Sequence, residues 1–141
     1  MFVLDTVHMS ALELGSGAAG QRLIARLNKL AIGEVATTII TYEEQMRGWL
    51  SVLAQSRSLD EQVEAYRRLK RMLGNYLKIE ILEFDGPAAA RFQQLQGLRP
   101  QIGTMDMKIA AITLTHDATV LTKNLKDFSR VPDLRVEDWT A

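Results

Sequence analysis

Four carboxylate side chains lie where the sequence predicts that a strand ends or a helix begins: Asp5, Glu44, Asp106 and Asp127. Asp5, for example, directly follows the apolar run from Phe2 to Leu4. In an open α/β sheet, ligands bind in the crevice beyond the carboxyl ends of the parallel strands. Carboxylates gathered there would repel one another unless a hard cation held them, and oxygen-only ligation suits Mg²⁺ or Mn²⁺. The pattern therefore predicts a divalent-metal site of the kind that catalyses phosphoryl transfer.

Each acid also has a purely structural explanation. Thr41-x-x-Glu44 has the form of a capping box, and Asp106 in the first turn of a helix is favoured by the helix macrodipole. Asp5 is different, because a carboxylate directly after an apolar strand is expected to be partly buried. Burial without a partner would destabilise the fold, so Asp5 needs a cation, a helix N-terminus or several hydrogen-bond donors.

Strand-like runs alternate with helical periodicity along the chain. The predicted strands cover residues 2–4, 36–41, 79–84, 119–122 and 134–136. The predicted helices are one that ends before Gly33, one that begins at Ser58, and those over residues 42–55, 87–96 and 104–116. This alternation predicts an α/β fold with a central parallel sheet of four to five strands and helices on both faces. Because no repeat or linker divides the chain, we expect a single domain over residues 1–141.

Apolar residues at helical spacing predict the buried faces of three helices. The inward residues are expected to be Leu23, Leu27 and Leu30, then Met46, Trp49, Leu50 and Leu53, and lastly Val63, Tyr66, Leu69, Leu73 and Tyr76. The third of these helices starts at a second capping box, Ser58-x-x-Glu61. Its other face is basic and carries Arg67, Arg68, Lys70 and Arg71. That face is interpreted either as a contact surface for nucleic-acid phosphates or as a solvated outer face.

Composition excludes several classes of protein. The 141 residues include no cysteine, which excludes a disulfide framework, a thiolate zinc site and a cysteine nucleophile. The N-terminus has no basic segment followed by a long apolar stretch, so neither a signal peptide nor a membrane span is expected. We therefore expect a soluble protein of the cytoplasm. The formal net charge of zero does not decide the substrate, because basic residues can still cluster locally.

A pattern of five segments spans nearly the whole chain. The segments are LDT at 4–6, ITYEEQMRG at 40–48, IGTMDMKIAA at 102–111, LTKNLKDFSRVP at 121–132 and LRVEDW at 134–139. In order and spacing this pattern resembles the PIN-domain family and, more closely, the VapC-like toxins of bacterial toxin-antitoxin pairs. The resemblance implies a single PIN-like nuclease domain: an Mg²⁺-dependent endoribonuclease that acts on structured RNA such as tRNA and is blocked by a cognate antitoxin. Asp5, Glu44 and Asp106 match the three most regular metal-site acids of the family.

The chain departs from the family pattern at two positions. Val7 stands two residues after the first aspartate, where Asn or Asp is usual, so a polar group that would orient a metal ligand is missing. At the fourth acidic position this chain has Asn124, and Asp127 follows three residues later. Asp127 is slightly favoured as the fourth acid, but Asn124 is also able to orient a water or ligate through its amide oxygen. These departures leave a second hypothesis open, a weakened or inactive PIN-fold protein that acts as a binding or regulatory partner.

The residues permit hydrolysis of a phosphodiester by a metal-activated water, with Asp5 as central ligand and Asp106 and Glu44 holding metal directly or through water. Nearby hydroxyls and imidazoles have simpler explanations. Thr6, Ser10 and Thr104 are expected to cap helices or pack in the core. His8 follows the first strand and could approach the site, but it is not needed as a general base, since the metal supplies the activated water. His116 is expected to complement the dipole at the end of a helix.

Substrate and partner contacts are expected at basic residues near the acids. Lys123 and Lys126 flank the fourth acidic position, and Arg47 lies one turn after Glu44, where it either touches a substrate or pairs with Glu43. A toxin-like nuclease must be held silent in its own cell, and an antitoxin arginine would pair well with the carboxylates. We also expect a homodimer built on exposed apolar helix surface.

Two other acidic-pocket folds fit less well. A response-regulator receiver needs a phosphorylatable aspartate at the end of its third strand, whereas the third predicted strand here runs on through Phe84. A haloacid-dehalogenase phosphatase needs aspartate at positions 5 and 7, and Val7 removes that option.

Overall fold

Five strands form one fully parallel sheet in this computed structural model, which describes all residues from Met1 to Ala141. The strands are β1 (Phe2–Leu4), β2 (Val35–Thr38), β3 (Glu80–Leu82), β4 (Thr119–Leu121) and β5 (Arg135–Glu137). Their order across the sheet is β3-β2-β1-β4-β5, and every neighbouring pair is parallel. The predicted parallel sheet is confirmed with five strands. Because the strand order reverses at β1, the carboxyl ends of β1 and its neighbours border the topological switch point.

Seven helices cover both faces of this sheet. They are α1 (Thr6–Leu14), α2 (Gly17–Leu27), α3 (Ile39–Gln55), α4 (Leu59–Tyr76), α5 (Gly86–Gly97), α6 (Thr104–Thr115) and α7 (Leu125–Phe128). Val3 and Val120 pack in one core with α5 and α6, while their neighbours Leu4 and Leu121 pack in the other with α1, α2 and α4. Successive strand residues point to opposite faces, which is why these strands are apolar throughout.

Two predicted strands extend several residues beyond the observed ones, because a helix begins soon after each observed strand ends. The run 36–41 was expected to be strand, but β2 stops at Thr38, whose Oγ1 accepts a hydrogen bond from the Thr41 backbone N–H at 3.1 Å. The run 79–84 is also wrong in extent, because Asp85 accepts from the Ala88 backbone N–H at 3.0 Å and caps α5. In both cases the local cap outcompetes the strand preference of the preceding residues.

The predicted buried faces need correction at four residues. On α4 the buried stripe consists of Ala65, Met72 and Tyr76, while Val63, Tyr66 and Leu73 are 56%, 57% and 50% exposed. The stripe is narrow because α4 packs mainly on α3, while Met72 and Tyr76 reach the core that contains Leu4 and Leu121. Leu50 of α3 is also exposed. Leu30 lies beyond the end of α2 but packs against the core, as expected.

None of the helices is long and apolar enough to cross a membrane. Two helices were not predicted, α1 and the four-residue α7. Each of them is next to one of the four predicted acids: α1 begins directly after Asp5, and α7 carries Asp127 in its first turn.

Candidate active site

Asp5 lies at the junction between the central strand β1 and helix α1. Its backbone N–H donates to the carbonyl of Leu121 at 3.0 Å, which extends the pairing of β1 with β4 by one residue. Its carboxylate Oδ1 accepts from the backbone N–H of His8 at 2.9 Å and caps α1. The side chain is almost fully buried, so the helix N-terminus supplies part of the compensation that this position needs.

Glu44 projects from the second turn of α3 toward α1. The hydroxyl of Thr6 donates to Glu44 Oε1 at 2.7 Å. The expected capping box is wrong, because α3 is capped by Thr38 and already includes Thr41. The expected capping or core role of Thr6 is also wrong, since its hydroxyl holds Glu44 in place. The contact joins the first residue of α1 to α3, directly beside Asp5.

Asp106 occupies the first turn of α6, whose N-cap Gly103 provides no side-chain cap. Burial, together with the negative charges of Glu44 and Asp5, raises the pKa of Asp106 from 3.8 to about 6. Asp127 adds to this effect, and a hydrogen bond from Asn124 opposes it. The other three predicted acids therefore lie close enough to Asp106 to repel its negative charge.

Asn124 stands between two of these acids. Its Nδ2 lies 3.4 Å from Asp106 Oδ2 and donates to Asp127 Oδ2 at 3.0 Å. The other oxygen of Asp127 is 3.3 Å from Nη1 of Arg130, so its charge is partly balanced. Of the two candidates for the fourth position, Asn124 contacts Asp106 directly. Asp127 is connected to Asp106 only through Asn124.

The donor set suits a hard divalent cation in its chemistry. All the groups that meet here offer oxygen atoms, and a cation would relieve the like-charge repulsion that raises the pKa of Asp106. No three His, Asp or Glu side chains are already arranged as the ligands of one ion. Binding of one ion by three of these acids would therefore require their side chains to move.

The two histidines have different surroundings. His8 is fully buried, with Nδ1 3.4 Å from Asp5 Oδ1, so it reaches the site from the protein interior rather than from the cleft. Its partner on the other side is the backbone N–H of Trp139, which donates to Nε2 at 3.1 Å. His116 is the exposed C-cap of α6, as expected.

Apart from Arg130, which pairs with Asp127, the basic residues near the site pair with acids outside it or line its edges. Arg47 forms an ion pair with Glu43, and Arg67 and Arg68 both pair with Glu64. Arg68 and Arg71 also line a groove of about 400 Å³. Thr6 forms part of the same groove, which therefore runs from the basic face of α4 to the acidic site. Lys123 and Lys126 are exposed on either side of Asn124.

The family model of the PIN domain matches residues 2–134. The chain belongs to the PIN-domain family. It is 32% identical over 77 residues to the tRNA(fMet)-specific endonuclease VapC of Salmonella typhimurium, an alignment that covers 52% of this chain and 58% of that protein. It is 28% identical over 145 residues to the VapC endonuclease of the same name from Shigella flexneri, covering 99% of this chain and 98% of that protein.

Solved structures of this family have the same fold. DNA-bound VapBC from Salmonella typhimurium superposes with a TM-score of 0.79 at 25% identity, over 98% of this chain and 97% of the other. FitAcB from Neisseria gonorrhoeae superposes with a TM-score of 0.73 at 26% identity, over 99% of this chain and 98% of the other. The resemblance to VapC-like members of the PIN-domain family is therefore confirmed by sequence and by structure.

Proposed function

We propose that this protein is a divalent-metal-dependent endoribonuclease and the toxin of a toxin-antitoxin pair. The observation that carries the proposal is the nearness of Asp5 and Glu44 to Asp106 at the carboxyl edge of the sheet, where burial and these two negative charges raise the pKa of Asp106 to about 6. Carboxylates are brought together in this way at sites where a cation or a proton does chemical work. The VapC relatives named as endonucleases support the same reaction class.

In this proposal Asp5, Glu44 and Asp106 hold Mg²⁺ or Mn²⁺, with Asn124 or Asp127 at the fourth position. A divalent ion bound there would activate a water and neutralise charge on the scissile phosphate. The protein groups have separate tasks. Thr6 fixes Glu44 through its 2.7 Å hydrogen bond, Asn124 orients Asp106, and Asp106 must lose its proton before it can act as a ligand.

Structured RNA, and tRNA in particular, is the proposed substrate. Two relatives are named as tRNA(fMet)-specific endonucleases. The groove lined by Arg68 and Arg71 reaches Thr6 and so leads to the acids. Together with the exposed Lys123 and Lys126, these side chains offer phosphate contacts on two sides of the site. Arg47 joins them only if a substrate phosphate displaces it from Glu43.

The test is incubation of a tRNA pool with the purified protein in Mg²⁺, in Mn²⁺ and in EDTA. We expect cleavage that requires the metal and that Asp106→Asn abolishes. Asp60→Asn is the matched control, because Asp60 is an exposed acid in the first turn of α4 and lies outside the site. Metal-independent cleavage, or cleavage that survives Asp106→Asn, would contradict the proposal.

A cognate antitoxin is the proposed inhibitory partner, with an arginine that enters the acidic cleft and pairs bidentately with its carboxylates. The structural similarity to VapBC of Salmonella typhimurium supports such a partner. We expect a small protein encoded beside this gene to abolish cleavage on addition. An isolated gene whose overexpression is harmless while the protein cleaves RNA in vitro would count against it.

A homodimer in the cytoplasm is the proposed assembly. The exposed apolar side chains of α4, Val63, Tyr66 and Leu73, provide a surface that a second copy would cover. Light scattering should give the mass of two chains for the wild type, and Tyr66→Glu should lower it to that of one. A monomeric wild type would remove the dimer without affecting the nuclease proposal.

Val7 supports the second candidate function, that of a catalytically weak or inactive binding protein. It is 47% exposed beside Asp5 and offers no hydrogen bond to the acids. If no form of the protein, including Val7→Asp, cleaves any RNA in Mg²⁺ or Mn²⁺, the binding function becomes the better account.

A further inference from the structure

His8 connects the C-terminal segment of the chain to the first acid of the site. Its ring is fully buried in the first turn of α1. Nε2 accepts a hydrogen bond from the backbone N–H of Trp139 at 3.1 Å, across 131 positions of sequence. Nδ1 lies 3.4 Å from Asp5 Oδ1, its nearest acidic oxygen, and makes no hydrogen bond in this structure. A buried polar atom without a hydrogen-bond partner destabilises the fold, so the position of Nδ1 beside Asp5 needs an explanation.

The contact with Trp139 determines which ring nitrogen carries the proton. A backbone N–H only donates, so Nε2 must present its lone pair to Trp139. Asp138 Oδ1 also lies 3.5 Å from Nε2, but it is further away than the Trp139 nitrogen and already accepts two hydrogen bonds from Thr140, at 2.8 and 2.6 Å. In a neutral imidazole the proton is then on Nδ1. The nearest acceptor for that proton is Asp5 Oδ1, at 3.4 Å.

The segment that orients His8 is itself firmly held. The Trp139 ring packs against Phe2 of β1 with a centroid separation of 4.6 Å, and the guanidinium of Arg26 lies 4.3 Å above its ring centroid. The next residue, Thr140, accepts two hydrogen bonds from Arg22 through its carbonyl. The chain end therefore fixes the ring of His8 from the side opposite Asp5.

We propose that His8 is a positioning residue that donates Nδ1–H to Asp5 and thereby holds this carboxylate with Oδ1 inward and Oδ2 toward the cleft. Oδ1 already accepts from the backbone N–H of the same residue at 2.9 Å, whereas Oδ2 accepts no hydrogen bond from the protein. His8 thus supplies, from the interior, the orienting group that Val7 does not supply from the surface. The inference rests on the proposed function, because it makes Asp5 a metal ligand.

The tautomer is tested on the wild-type protein without any substitution at position 8. Two-dimensional ¹⁵N NMR of the imidazoles distinguishes a protonated from an unprotonated ring nitrogen, and His116→Gln, at an exposed helix end, assigns the two sets of signals. We expect a protonated Nδ1 and an unprotonated Nε2 for His8 at neutral pH. A protonated Nε2 would overturn the inference.

Two variants then separate positioning of Asp5 from packing. The amide nitrogen of His8→Asn falls near the position of Nδ1, so this variant retains a donor for Asp5 and loses the acceptor for Trp139. The amide oxygen of His8→Gln reaches toward the position of Nε2, so this variant retains the acceptor and loses the donor. We expect Mn²⁺ affinity, measured by calorimetry, to fall about 10- to 100-fold in His8→Gln and to stay near the wild-type value in His8→Asn.

The outcomes are distinguishable. Equal losses of Mn²⁺ affinity in the two variants, or no loss in either, would mean that His8 serves packing alone and would overturn the positioning role. Wild-type protein that binds no Mn²⁺ would overturn the proposed metal site and the inference that depends on it. Loss of affinity in His8→Gln alone, with Nδ1 protonated in the wild type, is the result that the inference predicts.

Discussion

At the end of β1 the carboxylate of Asp5 accepts a hydrogen bond from the backbone of α1 and lies against His8, whereas at the start of α6 the carboxylate of Asp106 has only Asn124 as a donor. Burial and the negative charges of Glu44 and Asp5 raise the pKa of Asp106 to about 6. Asp5 therefore contributes to the fold as a helix cap, while ionised Asp106 works against the stability of the apoprotein. This difference supports the proposal that Asp106 serves binding or chemistry rather than architecture.

The largest effect is expected from removing Asp5. Asp5→Ala should abolish cleavage and also destabilise the fold, because alanine cannot cap α1. Asp5→Asn should abolish cleavage as well but keep the cap, since asparagine is a good N-cap residue. Chemical denaturation should show the alanine variant to be less stable than the asparagine variant by about 1 kcal/mol. Equal stabilities would mean that the cap at Asp5 contributes nothing.

Because the pKa of Asp106 is raised, we expect the rate of cleavage to depend on pH. With a pKa of about 6 the carboxyl is ionised at neutral pH and becomes protonated below that value. Each pH unit below the pKa lowers the ionised fraction, and hence the rate at low Mn²⁺, about tenfold. Saturating Mn²⁺ should move the fall in rate to lower pH, because metal and proton compete. A pH profile that is the same at both Mn²⁺ concentrations would contradict this role for Asp106.

The stability of the apoprotein should fall as pH rises, whereas the rate of cleavage should increase. The folded protein holds the Asp106 proton more tightly than the unfolded chain, whose carboxyl has the ordinary value of 3.8. Asp106 should therefore lower the stability of the apoprotein as pH rises from about 4 to about 6, with no further change above that window. Denaturation of wild type and Asp106→Asn across this range isolates the contribution, because only the difference between the two is needed.

A smaller effect is expected from Thr6, which supports Glu44 through one hydrogen bond. Thr6→Val keeps the shape of the side chain but removes the donor, and should slow cleavage about 10- to 100-fold. Thr6→Ser retains the hydroxyl and is the matched control. The measurement is the initial rate of tRNA cleavage in Mn²⁺. If both variants are equally slow, the methyl group rather than the hydroxyl matters.

The smallest change is expected at position 7, where Val7→Asn should raise cleavage by up to about tenfold, the lower limit of the usual effect of an orienting group. The gain is limited because His8 already contacts Asp5. Val7 is 47% exposed, so the substitution should change stability by no more than about 0.5 kcal/mol. Stronger growth arrest on expression is the cellular measurement. An unchanged rate would show that position 7 does not orient the site.

The main features of the fold were predictable because each depends on residues that are close in sequence. Apolar runs and helical periodicity predicted the parallel sheet, and Asp5 was recognised because it directly follows β1. The start of α3 was misplaced because Ile39 and Ile40 favour strands by type, and only the Thr38 cap turns them into a helix.

Contacts between distant parts of the chain were not predictable in this way. The hydrogen bond from Thr6 to Glu44 spans 38 positions and exists because α1 packs beside α3. His8 meets Trp139 across 131 positions, so a lone histidine in the sequence gave no sign of its partner. The contact of Asn124 with Asp106 likewise depends on the approach of α7 to α6.

Thermal and chemical unfolding of wild type and Asp106→Asn, each in EDTA and in Mn²⁺, tests the central claim most directly. In EDTA at neutral pH the variant should be more stable, by about 1 kcal/mol after allowance for solvent screening of this partly exposed group. At Mn²⁺ concentrations 100 times the dissociation constant the wild type should gain about 2.7 kcal/mol and the variant much less, so the order of stability should reverse. If Mn²⁺ stabilises both proteins equally, or neither, the acids at the carboxyl edge of the sheet do not form a metal site.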